Sequence, residues 1–206
     1  MSHFRNPSFA FVAAAMLAGC ATVPGPGPVQ ITRFHDAAAL AQLGQGTFFV
    51  ETAPGENNES LEIAAYKAAV ASRLAALGYR ETAREEASQI AQVRLGRHLI
   101  APESGKRGPV SVGVGGSTGS YGSGVGLGIG INLGGGKNRE RVGTDLGVMI
   151  RDKASGNTIW EGRASLEVSK GSPLEATTAN AAAITQALFS EFPGNNGESL
   201  EVKVSE

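Results

Sequence analysis

Thr144-Asp145-Leu146-Gly147-Val148-Met149-Ile150, followed after a short break by Trp160-Glu161-Gly162-Arg163-Ala164-Ser165-Leu166-Glu167-Val168, is the stretch that decides the fold. In the first run Leu146, Val148 and Ile150 recur at every second position, and the second run alternates in the same way, which is the period of a half-buried β-strand. Between them lies a turn containing Gly156-Asn157, residue types that accept the positive φ of a tight hairpin turn. The pair predicts an antiparallel hairpin with Trp160 as its largest core side chain and Glu161 and Arg163 on its outer face.

Upstream, Val29 to Phe34 and Thr47 to Glu51 are two short β-prone runs around His35-Asp36 and an alanine-rich connection able to hold a helical turn. Asn57 and Asn58 offer caps for a helix whose apolar stripe is Ile63, Tyr66, Val70, Leu74 and Leu77, at spacings of three and four. Gly78 ends this helix, with Tyr79 folding back as the apolar partner of a C-terminal glycine motif. Ile90 to Leu95 reads as a further strand. Downstream of the hairpin, Ser172 at a cap, Pro173 at the first helical position and Glu175 completing a capping box predict a second helix. Its inward stripe is Leu174, Ala181, Ile184 and Leu188, and Phe192-Pro193-Gly194 stops it. Leu200, Val202 and Val204 then alternate as a last edge strand. The fold class expected is α+β: a mainly antiparallel sheet covered on one face by two amphipathic helices, with a Gly-rich loop or arm between strands.

The N-terminus specifies where such a domain works. Arg5 and His3 give a short positive region, Ser8 to Ala18 an apolar run of about eleven residues, and Leu17-Ala18-Gly19-Cys20 reads as a lipobox. The apolar run is too short to span a bilayer, which takes roughly 20 apolar residues. The segment is similar to the leaders of bacterial lipoproteins. That resemblance implies a signal peptide over residues 1–19, cleavage before Cys20, and acylation of the Cys20 sulfur and amine, so that several chains hold the protein on a membrane. Ala21, in place of the aspartate associated with inner-membrane retention, points to the outer membrane. Residues 20–29 form the lipidated cysteine and a Pro/Gly linker, ATVPGPGP over residues 21–28, and residues 30–206 a single α+β domain with a Gly-rich insertion at 113–136.

Composition narrows the function classes. The chain carries 18 Lys and Arg against 19 Asp and Glu, a formal net charge of -1 that becomes -2 once Arg5 leaves with the leader. That balance excludes a basic nucleic-acid binder. A hydrophobic content of 41% is that of a globular chain. With its one cysteine acylated, the protein has no thiol nucleophile, disulfide or cysteine metal ligand, so its stability comes from packing.

Several pieces, in order, resemble one family. Thr47-Phe48-Phe49 stands before a helix, Leu77-Gly78-Tyr79 at its end and Gln92-Val93-Arg94 in the next strand. Thr158-Ile159-Trp160-Glu161-Gly162 lies in the hairpin, and Leu188-Phe189 with Phe192-Pro193 near the end. Together they resemble the bacterial lipoproteins grouped as domain of unknown function DUF 4136, over roughly residues 30 to 204. Members often have Ala-Asp where this chain has Ala91-Gln92. The resemblance implies a fold and a compartment; it brings no reaction and no catalytic residues.

Gly113 to Gly136 is the least ordinary stretch, with glycine at twelve of twenty-four positions. No register satisfies a dinucleotide fingerprint, and Gly136-Lys137 is followed by Asn138 rather than the Ser or Thr of a phosphate loop. Gly115-Gly116-Ser117-Thr118-Gly119 matches a nucleophile elbow, yet no histidine follows His98 to serve Ser117 as a base. Val125, Leu127, Ile129, Ile131 and Leu133 alternate with Gly126, Gly128, Gly130 and Asn132, so an extended chain would carry apolar side chains on one face and bare backbone on the other. Two readings stay open: a mobile loop between sheet strands, or an arm using Val125, Leu127, Ile129 and Ile131 to contact a partner or a membrane.

Other chemistry-bearing residues are weaker signals. His35-Asp36 are neighbours on a strand and point to opposite faces, and His98 is the only other imzidazole available to them in the mature chain. Lys137, Arg139 and Arg141 follow the glycine run as solvated cations. No paired carboxylates stand at a spacing suited to acid and base catalysis. The reading is of a lipid-anchored cell-envelope protein of non-catalytic type: a binding or assembly module without cofactor or metal, bound to a membrane through Cys20 and to an envelope protein partner. An auxiliary lipoprotein of an envelope transport or export complex is the alternative, and a transporter encoded alongside it would favour that.

Overall fold

The computed structural model describes residues 25–56, 60–101, 111–115, 126–130 and 140–205. The signal peptide, Cys20, Asn57, Asn58, Ser117, Val125, Ile131, Lys137 and Arg139 lie outside them. The central hairpin is the one expected, with longer strands. β7 (Arg141–Asp152) and β8 (Thr158–Ser169) pair antiparallel, with Leu146 opposite Ala164, Val148 opposite Gly162 and Ile150 opposite Trp160. Gly156 takes φ +73° in their connection, where the Asp152 carbonyl accepts its N–H at 2.9 Å.

Around this hairpin a seven-stranded sheet assembles from β1 (Val29–His35), β2 (Thr47–Thr52), β3 (Arg80–Glu81), β4 (Gln89–Ile100), β7, β8 and β9 (Glu198–Val202), in the order β3-β2-β4-β7-β8-β1-β9. Pairing is antiparallel from β4 across to β9, whereas β2 runs parallel to both β3 and β4. The sheet is therefore mixed, though mostly antiparallel. Its parallel part follows from α1 (Leu61–Ala76), which carries the chain from β2 back to the same end of the sheet, as a parallel neighbour requires. The final edge strand pairs with β1, and Val204 lies beyond it.

α1 buries Ile63, Tyr66, Val70 and Leu74, four of the five stripe residues, while Leu77 is its C-cap. Its N-cap is Ser60, whose Oγ accepts the Glu62 N–H at 3.2 Å, so the cap lies beyond the two asparagines. At the other end Tyr79 N–H donates to the Leu74 carbonyl and Gly78 N–H to that of Ala75, each at 3.2 Å, a Schellman closure with Gly78 at φ +104°. Tyr79 is buried, its ring edge-on to Phe48 at 6.0 Å.

The second helix departs from the sequence reading. Ser172 does cap Pro173, but the result is a short 3-10 turn, Pro173–Glu175, and the chain is extended at Ala176 before α2 (Thr177–Leu188) begins. Tertiary partners take the carbonyls that a continuous helix would use: Asn180 Nδ2 donates to Leu174 O at 3.0 Å and Arg97 Nη2 to Glu175 O at 2.9 Å. The glutamate half of the capping box is present one residue early, on the Gly171 N–H at 2.6 Å. Leu174, Ala181, Ile184 and Leu188 are all buried.

The core joins Tyr66, Val70 and Leu74 of α1 and Ile184 and Leu188 of α2 to the alternate sheet residues Ile31, Phe48, Val93, Leu146, Val148, Ile150, Trp160 and Leu166. Two polar ties cross it. Tyr66 Oη donates to Asn180 Oδ1 at 2.8 Å, linking the helices, and burial raises the phenol pKa. Arg97 Nη1 reaches Glu62 Oε1 at 2.6 Å and Thr177 Oγ1 at 3.2 Å, fastening both helix starts to β4.

Gly162 explains the spacing in Thr158-Ile159-Trp160-Glu161-Gly162. Two residues on from Trp160, it lies on the same face, and the indole folds over its bare backbone. A Cβ there would stand 2.9 Å from both Trp160 Cζ2 and Leu188 Cδ1. Gly162→Ala is expected to cost about 1 to 3 kcal/mol by overpacking. A melting temperature equal to the parent's would show that the indole has room to move.

Candidate functional site

The glycine-rich stretch contributes two short strands to the described residues, β5 (Ser111–Gly115) and β6 (Gly126–Gly130). They pair antiparallel as a separate two-stranded sheet. Leu127 is opposite Val114 and Ile129 opposite Val112, while Gly113 is opposite Gly128 and Gly115 opposite Gly126. Of the four residues expected to form a contact arm, Leu127 and Ile129 thus fall on β6, and Val125 and Ile131 lie outside the described residues. Sequence alternation marked the second strand; its partner, Ser111–Gly115, was missed, although Val112 and Val114 alternate there too.

This ribbon is reached from one particular end of the large sheet. β4 runs out at Ile100, the last rung opposite Arg141, and the chain returns at Arg141. Beside them, Gly27 N–H donates to the Glu167 carbonyl at 3.3 Å, and Val29, the first residue of β1, is fully buried. The linker from the N-terminus therefore meets the sheet at the end where the glycine-rich excursion leaves it.

Elsewhere the candidate chemistry disperses. His35 and His98 lie three strands apart and seven residues out of register. At roughly 4.8 Å per strand and 3.3 Å per residue they are about 25 Å from one another, on opposite faces. Asp36 is the N-cap of a 3-10 helix, Ala37–Gln42, and accepts the Ala38 N–H at 2.9 Å. Arg141 pairs with Glu167 at 2.9 Å, and Arg163 with Glu161 at 2.7 Å.

A serine, a carboxylate and a histidine do meet, on strands β8, β7 and β4. His98 Nδ1 lies 3.6 Å from Asp145 Oδ2, and Ser165 Oγ donates to Asp145 Oδ1 at 2.8 Å. The order is wrong for a nucleophile. The carboxylate stands between the other two, so the hydroxyl proton is directed at Asp145 and the imidazole that would serve as base is on the far side of the carboxylate from Ser165. Among the described residues no group of three His, Cys, Asp or Glu side chains could hold a metal ion, and no helix is long and apolar enough to cross a membrane.

An open groove of about 330 Å³ is lined by Glu51, Arg84, Gln92, Arg151 and Lys153. Its charges are occupied with one another and with the backbone. Glu51 accepts from Arg84 Nε at 2.8 Å and Gln92 Nε2 at 2.9 Å, Arg151 Nε donates to Gly156 O at 3.0 Å, and Lys153 Nζ to Arg84 O at 2.8 Å. Burial pushes the Glu51 carboxyl up, but the bonds from Arg84 and Gln92 and the charges of Arg84 and Arg151 outweigh it and hold the pKa below the usual value. This is a corner that locks β2, the segment before β4 and the β7–β8 turn together.

Arg33 is the polar residue that sequence reading passed over. It is fully buried on β1, in the same alternation as Val29 and Ile31. Nη1 donates to the Ser190 carbonyl, Nη2 lies 3.4 Å from Ser190 Oγ, and Nε is 3.5 Å from Glu198 Oε1. Burial lowers its pKa, against the opposing charges of Glu198 and Glu191. Its position at i+4 of the Val29, Ile31 alternation was the available signal.

No curated protein matches the chain in sequence. Among solved structures it is similar to a PDZ domain protein from Parabacteroides distasonis ATCC 8503, with TM-score 0.49 and 13% identity over 87% of this chain. The match takes in 39% of that protein, so the chain spans well under half its length. A PelC dodecamer from Paraburkholderia phytofirmans is similar with TM-score 0.41 and 12% identity, over 78% of this chain and 94% of that one. Residues 32–194 match the family described as Domain of unknown function (DUF4136), and the chain belongs to that family.

Proposed function

We infer that the protein is a lipid-anchored module of the bacterial cell envelope, held through Cys20 at the outer membrane, to which Ala21 points, and that it binds or assembles with an envelope partner rather than catalysing a reaction. The observation that carries this reading is the shortness of the spacer. Cys20 is seven residues from Gly27, the first of the described residues hydrogen-bonded to the sheet, which allows at most about 25 Å between acylated sulfur and that point of the domain. The domain is thereby kept close to its membrane with one end of the sheet leading. In this reading α1 and α2 cover one face of the sheet, the glycine-rich segment is an arm at the membrane-proximal end, and Val125, Leu127, Ile129 and Ile131 are its contact residues.

Cys20→Ala removes the thioether site, and among the described residues the buried core cluster begins only at Val29. The variant is expected to leave the membrane fraction after a high-salt wash and to keep the parent's melting temperature. Fractionation of cell envelopes measures this, and a variant that still pellets would show that the lipid is not what retains the protein.

A further inference from the structure

β9 forms one edge of the large sheet. It has β1 on one side and, among the described residues, no strand on the other, whereas the opposite edge is β3, only two residues long. An edge strand keeps half of its backbone N–H and C=O groups directed away from its neighbour, open to another strand. The side chains of β9 separate into two rows. Leu200 and Val202 stand opposite Ile31 and Val29 and are only half-buried against the core, and Val204 continues their row. Ser199, Glu201 and Lys203 make the other row, and all three are exposed. Neither Glu201 nor Lys203 takes part in an ion pair among the described residues.

We propose that this edge docks a second copy of the chain, β9 pairing with β9 about a two-fold axis through Val202 to join the two sheets into one. Identical strands pair antiparallel about an axis normal to the sheet, which keeps both helix layers on one side and sets residues of the same row opposite one another. Charge then selects the register. Glu201 and Lys203 stand one residue to either side of Val202, so each acid faces the second copy's lysine and each lysine its glutamate. In the other row Val202 meets Val202 and Leu200 meets Val204, which closes the half-buried apolar row from the side. The neighbouring registers fail. An axis at Glu201 sets glutamate against glutamate, one at Lys203 sets lysine against lysine, and one at Leu200 sets Glu198 opposite Val202. Charges on an edge strand ordinarily keep other strands away, but this pair is complementary to its own image. The tethers are compatible with the contact. At about 4.8 Å per strand and 3.3 Å per residue, the two copies of Gly27 lie about 20 Å apart beside the axis, and spacers of up to about 25 Å let one bilayer hold both anchors.

The test is sedimentation equilibrium of the mature chain carrying Cys20→Ala, so that acyl chains cannot gather it into micelles. The expected result is a mass that rises from monomer towards dimer across the micromolar to sub-millimolar range, as suits an edge contact without a large apolar interface. Glu201→Lys sets lysine against lysine at both symmetric pairs, and Lys203→Glu sets glutamate against glutamate. Each should raise the dissociation constant by about tenfold or more. An equimolar mixture of the two variants restores both opposite-charge pairs and should dimerise as the parent does. Both side chains are exposed, so each variant should keep the melting temperature of the dilute parent. A parent that stays monomeric over this range, a dimer that either substitution leaves intact, or a mixture that stays monomeric would overturn the proposal. Unfolding of either variant would overturn it too, by showing that the side chain is held within its own domain. Membrane fractionation of Cys20→Ala reads the anchor alone, so this contact and the anchored-module reading fail separately.

Discussion

Trp160→Ala is expected to cost about 3 to 5 kcal/mol, the range for truncating a fully buried large aromatic side chain. The indole is 0% exposed. It stacks on Phe189 with ring centroids 5.1 Å apart and planes 17° from parallel, meets Phe192 at 5.2 Å, and covers Gly162. Its Nε1–H donates to the Pro193 carbonyl at 3.0 Å, which ties the end of the chain beyond α2 to the middle of the sheet. Alanine would leave a cavity bordered by three rigid neighbours and an unpartnered carbonyl. For a domain of this size each kcal/mol moves the melting temperature by about 2 to 4 °C, so a fall of roughly 10 °C is expected in a thermal scan. Trp160→Phe separates the contributions, refilling part of the volume while still orphaning Pro193, and should fall between. A truncated variant melting within a degree or two of the parent would mean that the hairpin's inward face has been misassigned.

What could be read from the sequence was whatever a single period encodes. Leu146, Val148 and Ile150 alternate, and Ile63, Tyr66, Val70 and Leu74 recur every three or four residues, so the hairpin and α1 needed no partner to be recognised. Elements whose form depends on a distant group were less legible. Ser172, Pro173 and Glu175 signal a helix start, and the turn they begin is real, but Arg97 and Asn180 claim its carbonyls and the chain straightens at Ala176. No local pattern could announce that. The parallel pairing of β2 with β4 is likewise set by the path of α1 rather than by either strand's residues. At the candidate contact surface, the alternation around Leu127 and Ile129 was visible, whereas the matching of glycine to glycine across β5 and β6 exists only in the register.

Arg33→Ala is the second large effect, and it is hard to foresee from local pattern because a charged residue in a strand reads as outward-facing. Here the guanidinium is inward, 0% exposed, between the Ser190 carbonyl and the Glu198 carboxylate. Removing one member of a buried ion pair costs about 3 to 5 kcal/mol, mainly by leaving the other uncompensated. Glu198 retains 21% exposure and can turn to water, so the lower end of that range is expected. Arg33→Met tests the cause. It restores most of the lost volume but no donor, so if the cost is polar the methionine variant should recover only part of the stability, the Ser190 carbonyl still lacking its partner at about 1 to 3 kcal/mol. If methionine instead matches or exceeds the parent in a denaturant titration, the pair is a net burden on the fold, and Arg33 serves to fix how β1, β9 and the segment after α2 dock, not to hold them more tightly.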